Sequence, residues 1–448
     1  KEFLNAAKTE REFVREAVLR LKEAGYEEFE EGKIYQPGDK VYQINRKKAL
    51  LMSTFGKRPL EDGVRINVAH IGSEPLEAGM NIVGAHIDSP RLDLKPNPLY
   101  EKAEAAYFKT HYYGGIRKYQ WATIPLAMHG VVILKDGTSM DICIGEKEGD
   151  PVFCVTDLLP HLAAQQNERK LKDGIKGEEL NIIVGSLPYP CEEEDSIKEP
   201  VKLLALSILN ERFGMTEKDF LRAEIEFVPA VKATDVGLDR SLVGAYGQDD
   251  KVCAYTALTA EMKAKSPEYT TVTILADKEE IGSVGNTGLN SDFTLHYIEG
   301  LCKAGNVDVR KVLKHSLCLS ADVNAAYDPT FASVFEEKNS CYLNKGVVLT
   351  KYTGARGKSG SNDASAETMA KVIQIMDEAG VYWQIGELGA VDVGGGGTVA
   401  KYVALFVAGM DVDVVDMGVP ILSMHAPFEL ASKLDIYNTY LAFAAFCS

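Results

Sequence analysis

Side chains that can bind a metal ion stand at the ends of apolar segments far apart in the sequence. They are His86 and Asp88 in NIVGAHIDS, Asp249 and Asp250 in AYGQDDKV, Glu279 and Glu280 in TTVTILADKEEIGS, Asp322 in HSLCLSADVN, and His425 in PILSMHAP. Each residue alone has an ordinary explanation, because a histidine at a strand end is usually inert and an aspartate before a helix is usually its N-cap. In an open α/β sheet, however, ligands bind beyond the carboxyl ends of the strands, where these side chains would meet.

The charge of this set of side chains predicts a site for two divalent cations. Carboxylates held close together repel one another unless cations neutralise them. Imidazole with carboxylate, and without thiolate, suits Zn²⁺, for which Mn²⁺ or Co²⁺ could substitute. A site built for Mg²⁺ or Ca²⁺ would not need His86 and His425. The sequence therefore favours a pair of zinc ions.

The segments that would position these side chains alternate between strand and helix. A capping box of Thr9 and Glu12 opens the first helix, which Gly25 ends. Strand patterns occur in VRINVAHIG, NIVGAHIDS, TTVTILAD, HSLCLSAD, VYWQIG and VDVVDMGVPILSMH, and helix patterns in DDKVCAYTALTAEMKAK, ASAETMAKVIQIMDEAG and DIYNTYLAFAAF. This alternation predicts an α/β fold whose central sheet is mainly parallel and is flanked by helices on both faces.

The length of 448 residues exceeds what one core supports, since single cores stop growing near ~250–300 residues. Residues 93–232 carry short alternating segments such as GVVILKDG, MDICIGE and AEIEFVPAV between glycine, proline and charged turns. We therefore predict a discontinuous catalytic domain of residues 1–92 and 233–448, interrupted by an inserted β-rich domain of residues 93–232.

Composition excludes several classes of partner. The formal net charge of −16 disfavours nucleic acid, because an acidic surface repels phosphates. YVALFVAGM is the nearest approach to a membrane span, and it is shorter than the ~18–20 residues required. The first residues, KEFLNAAKTEREFVREAV, lack the apolar region of a secretory signal. The eight cysteines form no C-x-x-C pair and fall in apolar segments, as buried reduced thiols do. These features predict a soluble cytoplasmic protein that binds neither nucleic acid nor a membrane.

The ordered motifs of the chain resemble those of the aspartyl aminopeptidase/aminopeptidase I family of co-catalytic zinc exopeptidases. The motifs are GAHIDSPRLDLKP, the Asp249–Asp250 pair, DKEEIGS, SAD and SMHAPFE, and their order and spacing match along nearly the whole chain. The resemblance implies hydrolysis of the N-terminal peptide bond of peptides by a zinc-activated water. It also implies a catalytic α/β domain interrupted by a β-rich domain that serves oligomerisation, and assembly into tetrahedral homododecamers.

The resemblance also implies a role for each matched residue. His86 and Asp322 would bind the first zinc ion, Glu280 and His425 the second, and Asp249 would bridge the two. Asp88 would orient His86 through its other ring nitrogen. Glu279 would be the general base that takes a proton from water and passes it to the leaving amine. Spacing alone does not decide between Glu279 and Glu280.

The sequence departs from the acidic-residue-cleaving members of the family in three places. Gln248-Asp249-Asp250 replaces L-D-N, so Asp250 competes with Asp249 as the bridging ligand. VDVGGGGTVA replaces a C-G-T-T-like turn, and Gly396 within it would lie either in a backbone loop that faces the substrate or in a flexible turn.

The third departure concerns substrate preference. Thr350 occupies the position of a family lysine, and Lys351 beside it would point to the other face of the strand. We therefore expect a neutral, hydrophobic or broad preference at P1, with an acidic preference still open because Arg356 or Lys358 could supply a cation. His161 in LLPHLAAQQ resembles a family stretch that contributes a histidine to a neighbouring subunit, and a helix-surface role is the alternative.

Two other functions compete with this interpretation. Another two-metal hydrolase, such as a carboxypeptidase, dipeptidase or deacylase, would use similar ligands but would not require a free amine. A non-catalytic, chamber-forming binding protein with a vestigial metal site is the second alternative, and the presence of every expected ligand and of Glu279 argues against it.

Overall fold

The computed structural model describes residues 1–57, 79–190, 197–265, 267–353, 357–358, 362–394 and 411–448. The predicted strand VRINVAHIG, Arg356 and Gly396 lie outside these residues. The described residues form two compact units. The large unit contains Lys1–Asp88, Ala233–Met424 and Glu429–Ser448, and the small unit contains Ser89–Lys232 and His425–Phe428. The role of residues 93–232 as an inserted oligomerisation domain stays a prediction.

The helices and strands are numbered here in chain order. Helices in the described residues are α1 Glu2–Ala6, α2 Glu10–Glu23, α3 Ala164–Asn167, α4 Pro200–Phe213, α5 Gln248–Lys263, α6 Phe293–Ala304, α7 Val309–Lys314, α8 Ala366–Glu378 and α9 Lys433–Phe446. Strands are β1 Glu27–Glu28, β2 Lys40–Asn45, β3 Ala49–Thr54, β4 Asn81–His86, β5 Arg91–Lys102, β6 Ala105–Tyr113, β7 Leu126–Ile133, β8 Ser139–Ile144, β9 Cys154–Val155, β10 Asn181–Gly185, β11 Ala223–Pro229, β12 Thr234–Val236, β13 Leu242–Ala245, β14 Thr271–Ala276, β15 Leu317–Ala321, β16 Asn324–Ala325, β17 Val347–Thr350, β18 Trp383–Ile385, β19 Asp413–Gly418, β20 Pro420–Leu422 and β21 Glu429–Ser432. In the described part of the chain, every helix is too short or too polar to cross a membrane.

A nine-stranded sheet forms the centre of the large unit, in the order β1-β2-β3-β14-β4-β15-β19-β17-β18. Its middle strands β14, β4, β15 and β19 are all parallel to one another. Every residue of β14, β4 and β15 is buried, which explains why these strands read as continuous apolar runs in the sequence.

Helices cover both faces of this sheet. Val83 packs in a core with residues of α2, α5, α8 and α9. Its neighbour Ile82 packs in a second core with residues of α6 and α7. Because successive strand residues point to opposite faces, these two cores lie on the two sides of the sheet. The predicted α/β fold class is confirmed, and α2 carries the predicted capping box of Thr9 and Glu12.

The last predicted strand differs from the structure. VDVVDMGVPILSMH was expected to form one strand, whereas β19 ends at Gly418 and β20 joins a separate five-stranded sheet, in the order β12-β13-β21-β20-β16. The chain changes sheets where Gly418 passes against the backbone of Asp322: a Cβ atom on residue 418 would lie 1.8 Å from the Asp322 carbonyl oxygen. Glycine is therefore required where β19 leaves the central sheet.

The small unit contains a seven-stranded sheet in the order β8-β7-β11-β5-β6-β10-β9. All of its strand pairs are antiparallel. Trp121, Phe108 and Phe227 are among its most deeply buried side chains. The alternating segments GVVILKDG, MDICIGE and AEIEFVPAV supply β7, β8 and β11.

Candidate metal centre

Parallel strands bring three of the predicted side chains to one edge of the central sheet. His86 is the last residue of β4 and pairs with Ala276, the last residue of β14. Asp322 directly follows β15, whose Ser320 pairs with Gly84 of β4. The carboxyl ends of the three strands are therefore level, and the turn containing Glu279 begins three residues after Ala276.

His86, Asp249 and Asp322 converge around the Nε2 atom of the histidine. Nε2 lies 3.2 Å from Asp249 Oδ1, 3.7 Å from Asp322 Oδ1 and 3.9 Å from Glu279 Oε2. Donor atoms on one tetrahedral zinc ion lie about 3.3 Å apart, given bond lengths of ~2.0–2.2 Å. The spacing of His86 Nε2 from the Asp249 and Asp322 oxygens, and the mixture of imidazole and carboxylate, fit a zinc site. Glu280 extends the group, because one of its carboxylate oxygens lies within 4.8 Å of one from Asp249.

Asp88 controls the orientation of the His86 ring. His86 Nδ1 lies 3.1 Å from the Asp88 carbonyl oxygen and 3.4 Å from Asp88 Oδ1. Both atoms are acceptors, so the neutral ring carries its proton on Nδ1 and directs the Nε2 lone pair toward Asp249 and Asp322. Asp88 therefore contacts the His86 ring at the nitrogen that does not face Asp249 and Asp322.

Asp88 also holds the turn that carries the two glutamates. The backbone N–H groups of Glu279 and Glu280 donate to Asp88 Oδ1 and Oδ2 at 3.1 and 3.2 Å. Lys278 and Gly282 flank this turn with φ values of +68° and +88°, so the chain reverses sharply on both sides. This second function of Asp88 could not be seen in the sequence, because Asp88 is separated from Glu279 and Glu280 by 191 and 192 positions.

The structure separates the roles of Asp249 and Asp250. The Asp249 carboxylate joins the group around His86 Nε2, whereas Asp250 Oδ2 accepts a hydrogen bond from the backbone N–H of His86 at 3.3 Å. Both residues are buried and neither has helical φ and ψ values, although they lie at the start of α5. The geometry therefore favours Asp249 over Asp250 as the metal ligand.

The proton affinities of the group show that it holds excess negative charge. Burial, together with the charges of Asp322 and Asp88, raises the pKa of Glu279 to about 8 against the opposing effect of His86. Burial and the charge of Asp322 also raise the pKa of Asp250 well above its ordinary value. Burial lowers the pKa of His86, but hydrogen bonds with Asp249, Asp322 and Asp88 outweigh it and raise that pKa well above 6.5. A divalent cation would relieve this repulsion.

The other predicted residues differ in their exposure and in their hydrogen-bond partners. His425 belongs to the small unit, where its Nδ1 lies 2.9 Å from the Gly115 carbonyl oxygen. His161 is exposed within a short 3₁₀ turn, Pro160–Leu162. The Lys351 ammonium donates to Asp363 Oδ1 at 3.0 Å and to the Ala364 carbonyl oxygen at 2.9 Å.

The sequence interpretation assigned no role to Glu429, although it is the last residue of the motif SMHAPFE. Glu429 is buried in β21, and its Oε2 accepts a hydrogen bond from the backbone N–H of Asp249 at 3.1 Å. An acidic residue so close to a predicted ligand in sequence was the available signal.

Comparison with known proteins identifies the family. The family model described as "Aminopeptidase I zinc metalloprotease (M18)" matches residues 71–447. "Probable M18 family aminopeptidase 1" of Clostridium acetobutylicum is 49% identical over 456 residues, which cover 100% of this chain and 93% of that protein. The crystal structure of an M18 family aminopeptidase from Thermotoga maritima has a TM-score of 0.91 and 45% identity, covering 100% of this chain and 94% of that one.

A more distant structure shares the fold. The S. cerevisiae mApe1 dodecamer has a TM-score of 0.76 and 20% identity, covering 99% of this chain and 94% of that one. The family predicted from the ordered motifs is confirmed by the much closer matches over nearly the full length of the chain. The chain belongs to the M18 family of aminopeptidase I zinc metalloproteases and is a metal-dependent aminopeptidase.

Proposed function

We propose that the chain removes single residues from the N-termini of peptides with two zinc ions per subunit. The observation that carries this proposal is the convergence of His86 Nε2 with Asp322 and Glu279, which follow parallel strands, and with Asp249 at the start of α5. In this proposal His86 and Asp322 hold one ion, Glu280 and His425 hold the other, and Asp249 bridges them. Mn²⁺ or Co²⁺ could replace zinc.

Glu279 is the proposed general base. When bound, two zinc ions would supply an activated water, polarise the scissile carbonyl and offer a coordination position to the free α-amine of the substrate. The Glu279 carboxylate accepts the proton of the water and then donates it to the leaving amine. The two hydrogen bonds that the backbone of the turn donates to the Asp88 carboxylate restrict the position from which the Glu279 carboxylate acts.

The first test is the requirement for a free N-terminus. After chelation and addition of Zn²⁺, Mn²⁺ or Co²⁺, we expect hydrolysis of aminoacyl chromogenic substrates and at least a ~100-fold lower kcat/KM for their N-acetylated forms, because a blocked amine loses one strong interaction of about 3 kcal/mol. Equal hydrolysis of free and blocked substrates would instead support a deacylase or another two-metal hydrolase.

We propose that the P1 preference is neutral, hydrophobic or broad. The ion pair of Lys351 with Asp363 engages the ammonium that could otherwise select an acidic residue, and Lys358 also pairs with Asp363, at 2.9 Å. Thr350, at the position of the family lysine, is buried and accepts a hydrogen bond from Asn324. The same substrate panel decides this point, since a strong preference for aspartyl and glutamyl substrates would contradict it.

We further propose that the chain self-associates, as a tetrahedral dodecamer, through the small unit. Leu158, Leu159, Leu162 and Leu171 surround His161 in sequence and are 51–67% exposed. Exposed apolar side chains grouped in this way are typical of protein interfaces. The S. cerevisiae mApe1 dodecamer, which shares the fold, makes a dodecamer the natural expectation.

The test of self-association is the mass in solution. Sedimentation velocity is expected to give a mass near twelve times the 49.0 kDa chain, and a Leu159→Asp/Leu162→Asp variant is expected to form smaller species. An unchanged mass in the double variant would remove these leucines from the interface.

We also propose a cytoplasmic location. The seven cysteines in the described part of the chain form no disulfide with one another, which is in keeping with this location, and cell fractionation would check it.

A further inference from the structure

A side chain from a distant strand caps the start of α5. The N-cap residue of this helix is Gly247, which has no side chain to accept a hydrogen bond from the first turn. Glu429 of β21 takes this place, because its Oε2 accepts from the backbone N–H of Asp249. Backbone N–H groups at the start of a helix have no acceptor within the helix and need one from elsewhere. Glu429 supplies that acceptor for Asp249.

Gln248 reinforces this contact in the opposite direction. Its side chain is fully buried, and its Nε2 donates to the carbonyl oxygens of Glu429 and Val243 at 2.6 and 3.1 Å. Glu429 therefore receives one hydrogen bond on its backbone from Gln248 and one on its carboxylate from Asp249. The two consecutive residues that open α5 are thus attached to the same residue of β21.

The next residue is attached to the other side of the site. Asp250 Oδ2 accepts from the backbone N–H of His86 in β4. Asp249, with φ −77° and ψ 109°, and Asp250, with φ −111° and ψ 22°, are not helical, so the helix geometry itself does not fix them. Contacts with β21 and β4 fix the backbone of Asp249 instead, and its carboxylate reaches His86 Nε2 at 3.2 Å.

We propose that Glu429 is a positioning residue that sets the place of the Asp249 carboxylate for metal binding. The proposal rests on the proposed function only in assigning Asp249 as a metal ligand. Groups that orient a metal ligand from behind change metal affinity by about 10–100-fold when removed. We therefore expect the geometry of Glu429, more than its charge, to determine zinc affinity.

Three variants separate geometry from charge. Glu429→Ala removes the acceptor, Glu429→Asp keeps the charge but withdraws it by one methylene, and Glu429→Gln keeps an acceptor oxygen in place without the charge. Calorimetric titration of zinc into the chelator-treated full chain is expected to show about 10–100-fold weaker binding for Glu429→Ala and Glu429→Asp. Glu429→Gln is expected to stay within about threefold of the wild type. The Glu429→Asp and Glu429→Gln pair decides the question even if Glu429→Ala fails to fold.

Asp435 offers a matched control for loss of stability. This aspartate is equally buried and accepts hydrogen bonds from the backbone N–H groups of Asn344 and Gly346, both at 2.7 Å. Asp435→Ala is expected to lower Tm but to leave the zinc affinity of the folded protein unchanged.

Three results would overturn the positioning role. They are wild-type zinc affinity in Glu429→Asp, an equal loss in Glu429→Asp and Glu429→Gln, and an equal loss in Asp435→Ala. A wild-type chain that binds no zinc would instead contradict the proposed function.

Discussion

Replacing Glu279 by glutamine is expected to lower kcat by about 10²–10⁴-fold while zinc stays bound, because general acid–base catalysis contributes a factor of this size. Glutamine has nearly the shape of glutamate but accepts no proton from water. Residue 279 donates its backbone N–H to the Asp88 carboxylate, and this hydrogen bond does not involve the side chain of residue 279. The turn is therefore expected to keep its conformation in the variant. Steady-state kinetics, with the zinc content of the same samples measured by atomic emission, check this prediction.

Glu280→Gln is the contrasting variant. It changes the neighbouring carboxylate in the same turn, and because Glu280 is a proposed ligand, this variant is expected to lose zinc along with activity. A Glu279→Gln variant with full zinc content and full activity would contradict the role of Glu279 as the base. If the wild type also lacked activity on every peptide tested, the non-catalytic binding protein would become the better interpretation.

The sequence predicted the centre of this site well because buried parallel strands leave little freedom. β4, β14 and β15 are buried on both faces, so their apolar runs stand out in the sequence and mark where each strand ends. Once the strands are parallel and in register, the residues that follow them meet at one edge. His86 and Asp322 could therefore be placed together from the sequence alone.

The choice between Asp249 and Asp250 could not be made in this way. The two residues are adjacent, and the conformation at the start of α5 is non-helical at both. Neither strand nor helix periodicity applies to such a segment, so only the tertiary contacts with His86 and Glu429 show which carboxylate faces the site. Glu429 escaped notice for the same reason, since it acts across 180 residues of sequence.

The end of the central sheet was also misjudged, and the cause is local. VDVVDMGVPILSMH is apolar throughout, so hydrophobicity gives no sign that it forms β19 and β20 in two different sheets. Gly418 marks the change, because its backbone passes too close to Asp322 for any side chain. A glycine inside a strand pattern often marks such a close approach, although the apolar pattern around Gly418 predicts a continuous strand.

Zinc binding is expected to release about two protons per subunit at neutral pH, and its affinity is expected to rise steeply with pH. The pKa of Glu279 is raised to about 8 in the metal-free chain, by burial first and then by neighbouring carboxylates, and the pKa of His86 lies well above 6.5. Both groups therefore bind a proton more tightly in the folded, metal-free protein than in the unfolded chain. His86 Nε2 must lose its proton to bind a metal, and a nearby dication lowers the pKa of Glu279.

The folding stability of the metal-free chain and its affinity for zinc respond to pH with opposite signs. A raised pKa means that the folded metal-free chain binds a proton that the unfolded chain has already lost. The stability contributed by Glu279 is thus present below its ordinary pKa of 4.5 and is lost as the pH rises through about 8. Zinc competes with these protons, so each one displaced makes binding about tenfold tighter per pH unit. Two protons give up to roughly a hundredfold per unit near pH 6, and the slope becomes shallower as the pH approaches the Glu279 pKa of about 8.

Calorimetric titrations in buffers of different ionisation enthalpy count the protons directly. The wild type is expected to release about two, and Glu279→Gln about one fewer, because the amide carries no proton that zinc can displace. The difference between the two proteins isolates Glu279 from His86, whose proton is released in both. Zinc affinity that stays constant from about pH 6 to about pH 8 would mean that zinc displaces no protons from these side chains. The pKa of Glu279 would then not be raised by neighbouring carboxylates, and relief of their repulsion could not explain metal binding.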